Sequence, residues 1–450
     1  MKTQQKWLIV GSGFKGIIAA YLLAQKGHQV MMVDKSTRIG GVLYSEEWNG
    51  FMLDKGCHLF DNDEDQITTL VLDILDNEVA PVSVKYASFA KGQKTEGIAV
   101  ADLGRWGDET SKNILWEMIE SATSSTSPSS ISGSFYDVMA HRHGKTAATL
   151  IDSLVQKTHI LSTHEIDASA YHLLPYKRIK FLENEQGTIL KQSSFFDERI
   201  AISSQANPMQ FYQHTAKKYP HRNFYPKKNS LRGFCDKALV KLQEMGVDMQ
   251  MGKAVEYIKP SGGAVEVAFG SGSRRVDYLF WASPQELIPR LFGLEQSISD
   301  YIFAVPMVLY YFVVKRDKIS DYTYIHNFNK SDYTFRVSFP SNYHQDVIQA
   351  DLVYVCVEVP QQLGTDLWEQ PKNFTQVIWR ELQDMGLVKS ETFEDVLIQK
   401  TPVSYKVPKL GYQDVLSHTL GKIDTTRILG LSEWEFTKNN IIRSLYKIFE

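Results

Sequence analysis

Cysteine is scarce: Cys57, Cys235 and Cys356 are the only three in 450 residues, widely scattered and without Cys-x-x-Cys spacing. That suits a reducing compartment and removes zinc clusters; no metal site is expected. A basic excess is also missing. The 49 Lys and Arg stand against 52 Asp and Glu, a net charge of −3, so a nucleic-acid partner has no electrostatic support. Long apolar runs are absent too, and none approaches the roughly 18 residues needed to cross a bilayer. Trp7 to Val10 is too short for a signal peptide and runs straight into glycines. We expect a cytoplasmic protein without integral membrane association, with a small-molecule substrate; its oligomeric state is left open. Hydrophobic content of 43% with 12% aromatics excludes wholesale disorder, and the length allows two to four domains or one large interleaved fold.

What is present begins at once. Trp7 to Val10 reads as a short buried strand, Gly11-Ser12-Gly13-Phe14-Lys15-Gly16 follows, and Ile17 to Lys26 has a helical pattern. Gly11 allows the tight turn, Gly13 lets backbone approach a pyrophosphate, and Gly16 lets helix and strand pack closely. The helix N-terminus offers free N–H groups and a positive dipole, and Phe14 in the turn before it is a cofactor-binding candidate. Gly27 ends the helix, Gln29 to Val33 form a second strand, and Asp34 stands at its end, about twenty residues beyond the glycines. A carboxylate there can accept both ribose hydroxyls of an adenosine.

The run Asp34-Lys35-Ser36-Thr37-Arg38-Ile39-Gly40-Gly41 resembles the extended FAD signature of the flavoproteins that include amine oxidases, protoporphyrinogen oxidase and UDP-galactopyranose mutase. The resemblance implies a non-covalent FAD, with Gly40 and Gly41 passing close to its ribityl and pyrophosphate and Arg38 helping to hold them. Asp34 stands where Glu is commoner. Phe51 to Phe60 adds Gly56, His58 and Phe60, which match the mutase run that enters the cavity beside the isoalloxazine, with Cys57 in place of Pro and Asp61 in place of His. His58 is a flavin- or substrate-facing candidate, with a structural histidine as the alternative. Cys57 reads as an inert core residue before a redox thiol. Val255, in Lys253 to Ile258, falls where the family pairs the adenine edge through backbone. Near the end, Arg427 to Ile442 resembles the C-terminal FAD motif: a strand ending at Gly430, then a helix beginning near Asn439 or Asn440, with Asn as its N-cap, and running through Leu445, so that Gly430, Asn440 and Ile441 are cofactor candidates. Leu431 replaces the mutase's Arg.

The expected architecture is α/β. A Rossmann-like FAD-binding domain of parallel sheet and helices, residues 1–85, 215–290 and 405–450, interleaves with a substrate domain of antiparallel sheet and helical cap, residues 86–214 and 291–404. Helices are expected over Asp65 to Asn77, Phe135 to Leu161 and Pro371 to Gly386, the last presenting Phe374, Val377, Ile378, Leu382 and Met385 on one face. Strands are expected over Val79 to Ala90, Gly97 to Leu103 and several segments between 301 and 360. The Ser-rich stretch 121–134 reads as a loop.

For catalysis the candidates are His58 and Arg336, the latter in Tyr333-Thr334-Phe335-Arg336, which resembles a mutase Tyr-Thr-Arg strand with one extra residue. Arg336 is equally readable as a solvent-facing strand residue. Three functions fit: an FAD-dependent oxidoreductase that takes hydride from a C–N or C–O carbon or desaturates a carbon skeleton; a mutase-like nucleotide-sugar isomerase using reduced flavin; and a non-catalytic FAD-binding protein. Several altered mutase markers favour the first.

Overall fold

Trp7-Leu8-Ile9-Val10 is buried throughout, as a strand covered on both faces must be. It lies at the centre of a five-stranded sheet whose order is Asp248–Met251, Gln29–Asp34, Lys6–Val10, Tyr278–Trp281, Ile428–Leu429, with every pairing parallel. The computed structural model describes residues 4–122, 132–203, 222–432, 435 and 437–450. Most of the Ser-rich stretch 121–134 lies outside them.

The chain divides into two compact units, one of Met1–Val82, Thr215–Asp300 and Gln413–Glu450, the other of Ser83–His214 and Tyr301–Tyr412. The first holds the parallel sheet. Helix Phe14–Gln25 follows its central strand, and Phe14 and Ile17 to Leu23 are buried. The meander Val255–Ser261, Ala264–Phe269, Gly272–Val276 adds Ile258, Val265 and Val267 to a core shared with Leu8, Val10 and Trp281. Helix Ser230–Glu244 contributes Phe234, Cys235 and Ala238, and helix Lys438–Phe449 closes the chain.

The second unit is built on a seven-stranded mixed sheet, mostly antiparallel: Asp395–Pro408, Ile302–Lys315, Leu352–Pro360, Arg336–Ser338, Tyr324–Asn327, Tyr86–Ala90, Gln93–Glu96. Beside it stands a helical group, Asp108–Ser121, Phe135–His143 and Lys145–His159, packed through Ile114, Met118, Val138 and Ile151. The expected α/β class, with a parallel Rossmann-like sheet and a separate sheet rich in antiparallel pairs, is what the chain forms.

Several local expectations are corrected. The periodicity over Phe135 to Leu161 belongs to two helices, because Gly144 at φ +89° breaks the run. Val79 to Ala90 is two strands, Val79–Val82 and Tyr86–Ala90, and Gly97 to Leu103 carries none; the strand is Gln93–Glu96, just before it. Helix Asp65–Ile74 stops short of Asn77, whose φ is positive. In helix Thr375–Asp384, Ile378, Trp379 and Leu382 are buried, while Val377 is 42% exposed. Among the described residues no helix is long and apolar enough to cross a membrane.

Candidate functional site

The site in the first unit starts from glycine geometry. Gly11 sits at φ +110°, and a Cβ there would meet the Ala282 carbonyl oxygen at 2.6 Å. Only glycine fits this turn. At Gly16 a Cβ would lie 2.0 Å from the Gly11 carbonyl oxygen, so helix and turn touch backbone to backbone. Gly13 differs: a Cβ there meets nothing within 4 Å. Gly13 is also the N-cap of helix Phe14–Gln25 and supplies no side-chain cap. The first N–H groups of that helix thus have no side-chain cap and carry the positive end of its dipole, the arrangement that suits a phosphate.

A second glycine segment lies against the first. The Gly40 N–H donates to the Ser12 carbonyl at 2.8 Å, Gly13 and Gly40 form a parallel bridge, and a Gly41 Cβ would lie 3.4 Å from the Gly13 Cα. Gly40 is pressed from behind by Cys235, whose Sγ would stand 2.2 Å from a Cβ. Burial pushes the Cys235 thiol up to about 12, so it stays protonated packing material. The sequence pattern had assigned Cys235 no role at all.

Asp34 ends its strand half-buried and hydrogen-bonded on both oxygens. Oδ2 accepts from the Ser12 N–H and hydroxyl, and Oδ1 accepts from the Ser36 N–H at 2.8 Å. The Lys253 N–H donates to the Asp34 carbonyl and the Gly252 N–H to the Ser36 carbonyl, both at 2.8 Å, which brings the strand beginning at Val255 to the same edge. Lys35 and Arg38 have exposed side chains. The Arg38 guanidinium lies 5.0 Å from the Tyr44 ring centroid, and Arg232 lies 5.3 Å from it. Tyr44 thus gathers two cations beside Gly40 and Gly41.

The Phe14 side chain is buried, near Phe234 at 5.6 Å and Phe60 at 6.4 Å, so only its backbone faces the turn. His58 is half-buried, and its Nε2 lies 3.1 Å from the Lys55 carbonyl, a local contact that fixes the ring. Gly430, at φ +84°, offers its carbonyl to Lys15 Nζ at 3.2 Å. Thr437, rather than Asn439 or Asn440, caps the last helix: its hydroxyl accepts from the Asn440 N–H at 3.2 Å, and its carbonyl accepts from the Ile441 N–H at 3.0 Å. Asn440 Oδ1 accepts from Arg443. The helix start is clasped by Lys438 Nζ on the Leu59 carbonyl at 2.8 Å and by Asn439 Nδ2 on Asp63 at 3.0 Å.

Motif matching missed a carboxylate beneath these loops. Asp54 is 1% exposed and accepts from Ser45 Oγ at 2.6 Å and from the Tyr225 hydroxyl. Ser45 in turn accepts from the Arg232 N–H at 3.0 Å, which ties the Gly40-Gly41 loop to helix Ser230–Glu244. Burial raises the Asp54 pKa to about 6 despite these donors. The signal was a single acid directly after the apolar run Phe51-Met52-Leu53.

Arg336 belongs to the second unit. Its Nε donates to Glu358 Oε1 at 2.5 Å, and the side chains are 21% and 7% exposed. Arg336 is half-buried and pairs with the buried Glu358 on the neighbouring strand.

Residues 9–74 match the family model of the NAD(P)-binding Rossmann-like domain. The 1-hydroxycarotenoid 3,4-desaturase of Flavobacterium sp. (strain P99-3) is 41% identical over 56 residues, 12% of this chain and 12% of that protein. The human all-trans-retinol 13,14-reductase is 34% identical over 67 residues, 15% of this chain and 11% of that protein. The chain therefore matches only about an eighth of the length of these relatives. Solved structures match far more of it. A reduced UDP-galactopyranose mutase superposes with TM-score 0.68 at 14% identity, covering 95% of this chain and 88% of the other. A protein assigned as protoporphyrinogen oxidase from Exiguobacterium sp. 255-15 gives 0.67 at 12% identity, covering 99% and 98%. Putrescine oxidase gives 0.65 at 14%, covering 99% of each. Residues 9–74 thus carry a Rossmann-like dinucleotide-binding turn, and the whole chain shares the fold of UDP-galactopyranose mutase, protoporphyrinogen oxidase and putrescine oxidase.

Proposed function

We propose that the protein is an FAD-dependent oxidoreductase that removes hydride from a C–N or C–O carbon of a small molecule, or desaturates a carbon skeleton. The observation that carries the reading is the open space at Gly13, bounded by an uncapped helix N-terminus, the braced Gly40-Gly41 segment and the Asp34 edge. These groups fit a non-covalent FAD. The Phe14 and Lys15 N–H groups would take its pyrophosphate, Asp34 its ribose, and Val255 backbone its adenine.

When bound, the flavin supplies the two-electron redox chemistry, and the protein orients substrate and tunes charge. On this reading Lys438 and Asn439 hold the 59–63 segment against the start of the last helix, fixing the loop that carries His58. The helix dipole there favours negative charge on a reduced cofactor. The named activities of the two relatives, a desaturase and a reductase, accord with this class. The matching segment is the dinucleotide turn, so that likeness speaks for the cofactor and leaves the substrate to the second unit.

The test is anaerobic. Purified protein should be yellow and release about one FAD per chain on denaturation, and a substrate panel should bleach it with net transfer to a dye. Release of NAD, or of nothing, overturns the cofactor. Isomerisation of a nucleotide sugar by pre-reduced enzyme, without net dye reduction, would establish mutase chemistry instead.

A further inference from the structure

Tyr44 follows the Gly40-Gly41 segment, and its Cβ stands 3.8 Å from where a Gly40 Cβ would lie. Two arginines from different elements meet over its ring. Arg38 comes from the segment between the second strand and Gly40, with its guanidinium 5.0 Å from the ring centroid; Arg232 comes from the first turn of helix Ser230–Glu244, at 5.3 Å. Two like charges drawn to one ring repel, and the repulsion falls when an anion joins them. Asp236 answers only part of this charge. Its Oδ2 lies 3.6 Å from Arg232 Nε, with both side chains more than a third exposed, and Arg38 pairs with no carboxylate among the described residues.

The arrangement is held from below. Ser45, next to Tyr44, accepts from the Arg232 backbone N–H at 3.0 Å and donates to the buried Asp54 at 2.6 Å, and the Tyr225 hydroxyl bonds the same carboxylate. The backbones that carry the ring and the second arginine are therefore tied to each other. A guanidinium lying over a ring keeps its N–H groups in its own plane, free to point past the ring. Neither guanidinium donates a hydrogen bond to any described residue, and both side chains reach solvent. Gly40 in turn bridges to Gly13, and its N–H reaches the Ser12 carbonyl. The ring and its two cations thus stand on the same glycine floor as the uncapped start of helix Phe14–Gln25.

We propose that Arg232 is a cofactor-binding residue: with Arg38, and with the Tyr44 ring as their common platform, it grips the phosphates of the dinucleotide. The resemblance assigns a role to Arg38 alone. Arg232 lies far along the chain, outside the glycine signature, and is brought to it by the packing of helix Ser230–Glu244 on the loop that follows Gly41. Two planar forks can each give paired N–H···O bonds to phosphate oxygens, which a lysine's point charge cannot. The helix start meets those oxygens with partial charge and the arginines meet them with full charge, so the clamp is the salt-sensitive part of the binding. The proposal rests on the FAD reading only for which dinucleotide is held, since any pyrophosphate would serve the clamp.

Flavin-free protein is titrated with FAD by fluorescence, and with ADP and adenosine by calorimetry. Arg232→Met, which keeps the length and loses the charge, should weaken FAD and ADP about tenfold, the loss of one charge-assisted contact. It should leave adenosine unchanged and flatten the decline of FAD affinity with added salt. Arg232→Gln should show the same flattening, Arg232→Lys should recover part of the affinity, and Tyr44→Leu should fall between the parent and Arg232→Met. Circular dichroism melts confirm the fold of each variant. Parental FAD affinity and salt dependence in Arg232→Met or Arg232→Gln overturns the proposal. So does a loss shared equally by adenosine, which marks a role in shape alone. Protein that takes up ADP but no FAD defeats the flavin reading, while the comparison of ADP with adenosine still decides the clamp.

Discussion

Asp34 Oδ2 accepts two hydrogen bonds from Ser12, from the backbone N–H at 2.7 Å and from the hydroxyl at 2.9 Å. The carboxylate that ends the second strand therefore shapes the glycine turn itself. A carboxylate oxygen has room for two donors, and Oδ1 holds only the Ser36 N–H among the described residues.

Asp34→Ala should accordingly weaken FAD by more than a ribose contact alone. Each charge-assisted bond contributes about 1.5–3 kcal/mol, so a loss of at least about tenfold is expected. Ser12→Ala, which keeps the backbone donor, should lose less. Fluorescence titration of flavin into apoprotein measures both, and unchanged affinity in Asp34→Ala would remove it from the site.

Two glycine substitutions should separate binding from folding. Gly13→Ala adds a methyl where nothing lies within 4 Å, so the apoprotein should melt close to the parent while FAD retention falls, and Gly13→Val should abolish retention. Gly16→Ala puts its methyl 2.0 Å from a carbonyl oxygen and should lower the melting temperature itself. Full FAD occupancy in Gly13→Val would place the phosphates elsewhere.

Asp54 gives a pH signature. Its folded pKa is raised to about 6 by burial, so between the ordinary carboxylate range and pH 6 the folded chain holds a proton that the unfolded chain has released. Its contribution to stability is then present at low pH and is lost as pH rises towards 6, becoming level above it. The melting-temperature difference between parent and Asp54→Asn should change across that window. A difference constant from pH 4 to 7 would mean the carboxylate is ionised throughout.

Arg336→Ala leaves Glu358 buried without its cation, a change that typically costs about 3–5 kcal/mol. The double variant Arg336→Leu with Glu358→Leu should be the more stable of the two. Loss of flavin reduction in the single variant alone is then structural, and loss in both assigns Arg336 a part in substrate handling. His58→Ala should keep FAD. If single-turnover reduction proceeds at the parental rate, the histidine takes no part in the chemistry and its role is structural.

What was legible in the sequence is what is local. Gly11 to Gly16, Asp34 and Gly40-Gly41 announce their roles because turn geometry and a strand end are set within a few residues. The cap of the last helix was misread as Asn439 or Asn440 because both are good cap residues by type, and only the hydrogen bond to Thr437 distinguishes them. Asp54 went unnoticed because its partners, Ser45 and Tyr225, are far apart in sequence. The polar row Ser88, His326, Arg336 and Glu358, one residue from each of four neighbouring strands of the second unit's sheet, depends on register between distant strands, which periodicity along one strand cannot supply.

That row also sets how the second unit can vary among related chains. Ser88, His326, Arg336 and Glu358 alternate with Ala87, Ile325, Val337 and Val357, which pack with Ile378 and Trp379, so substitutions in the polar row leave that core in place. A single-residue insertion within Tyr324–Asn327 or Arg336–Ser338 does the opposite: it turns the strand over, sends His326 or Arg336 towards Trp379, and lifts Ile325 or Val337 out of the core. Length changes should therefore collect in the connections, as in 328–335, while the three-residue strand beside them keeps its length even where its side chains do not.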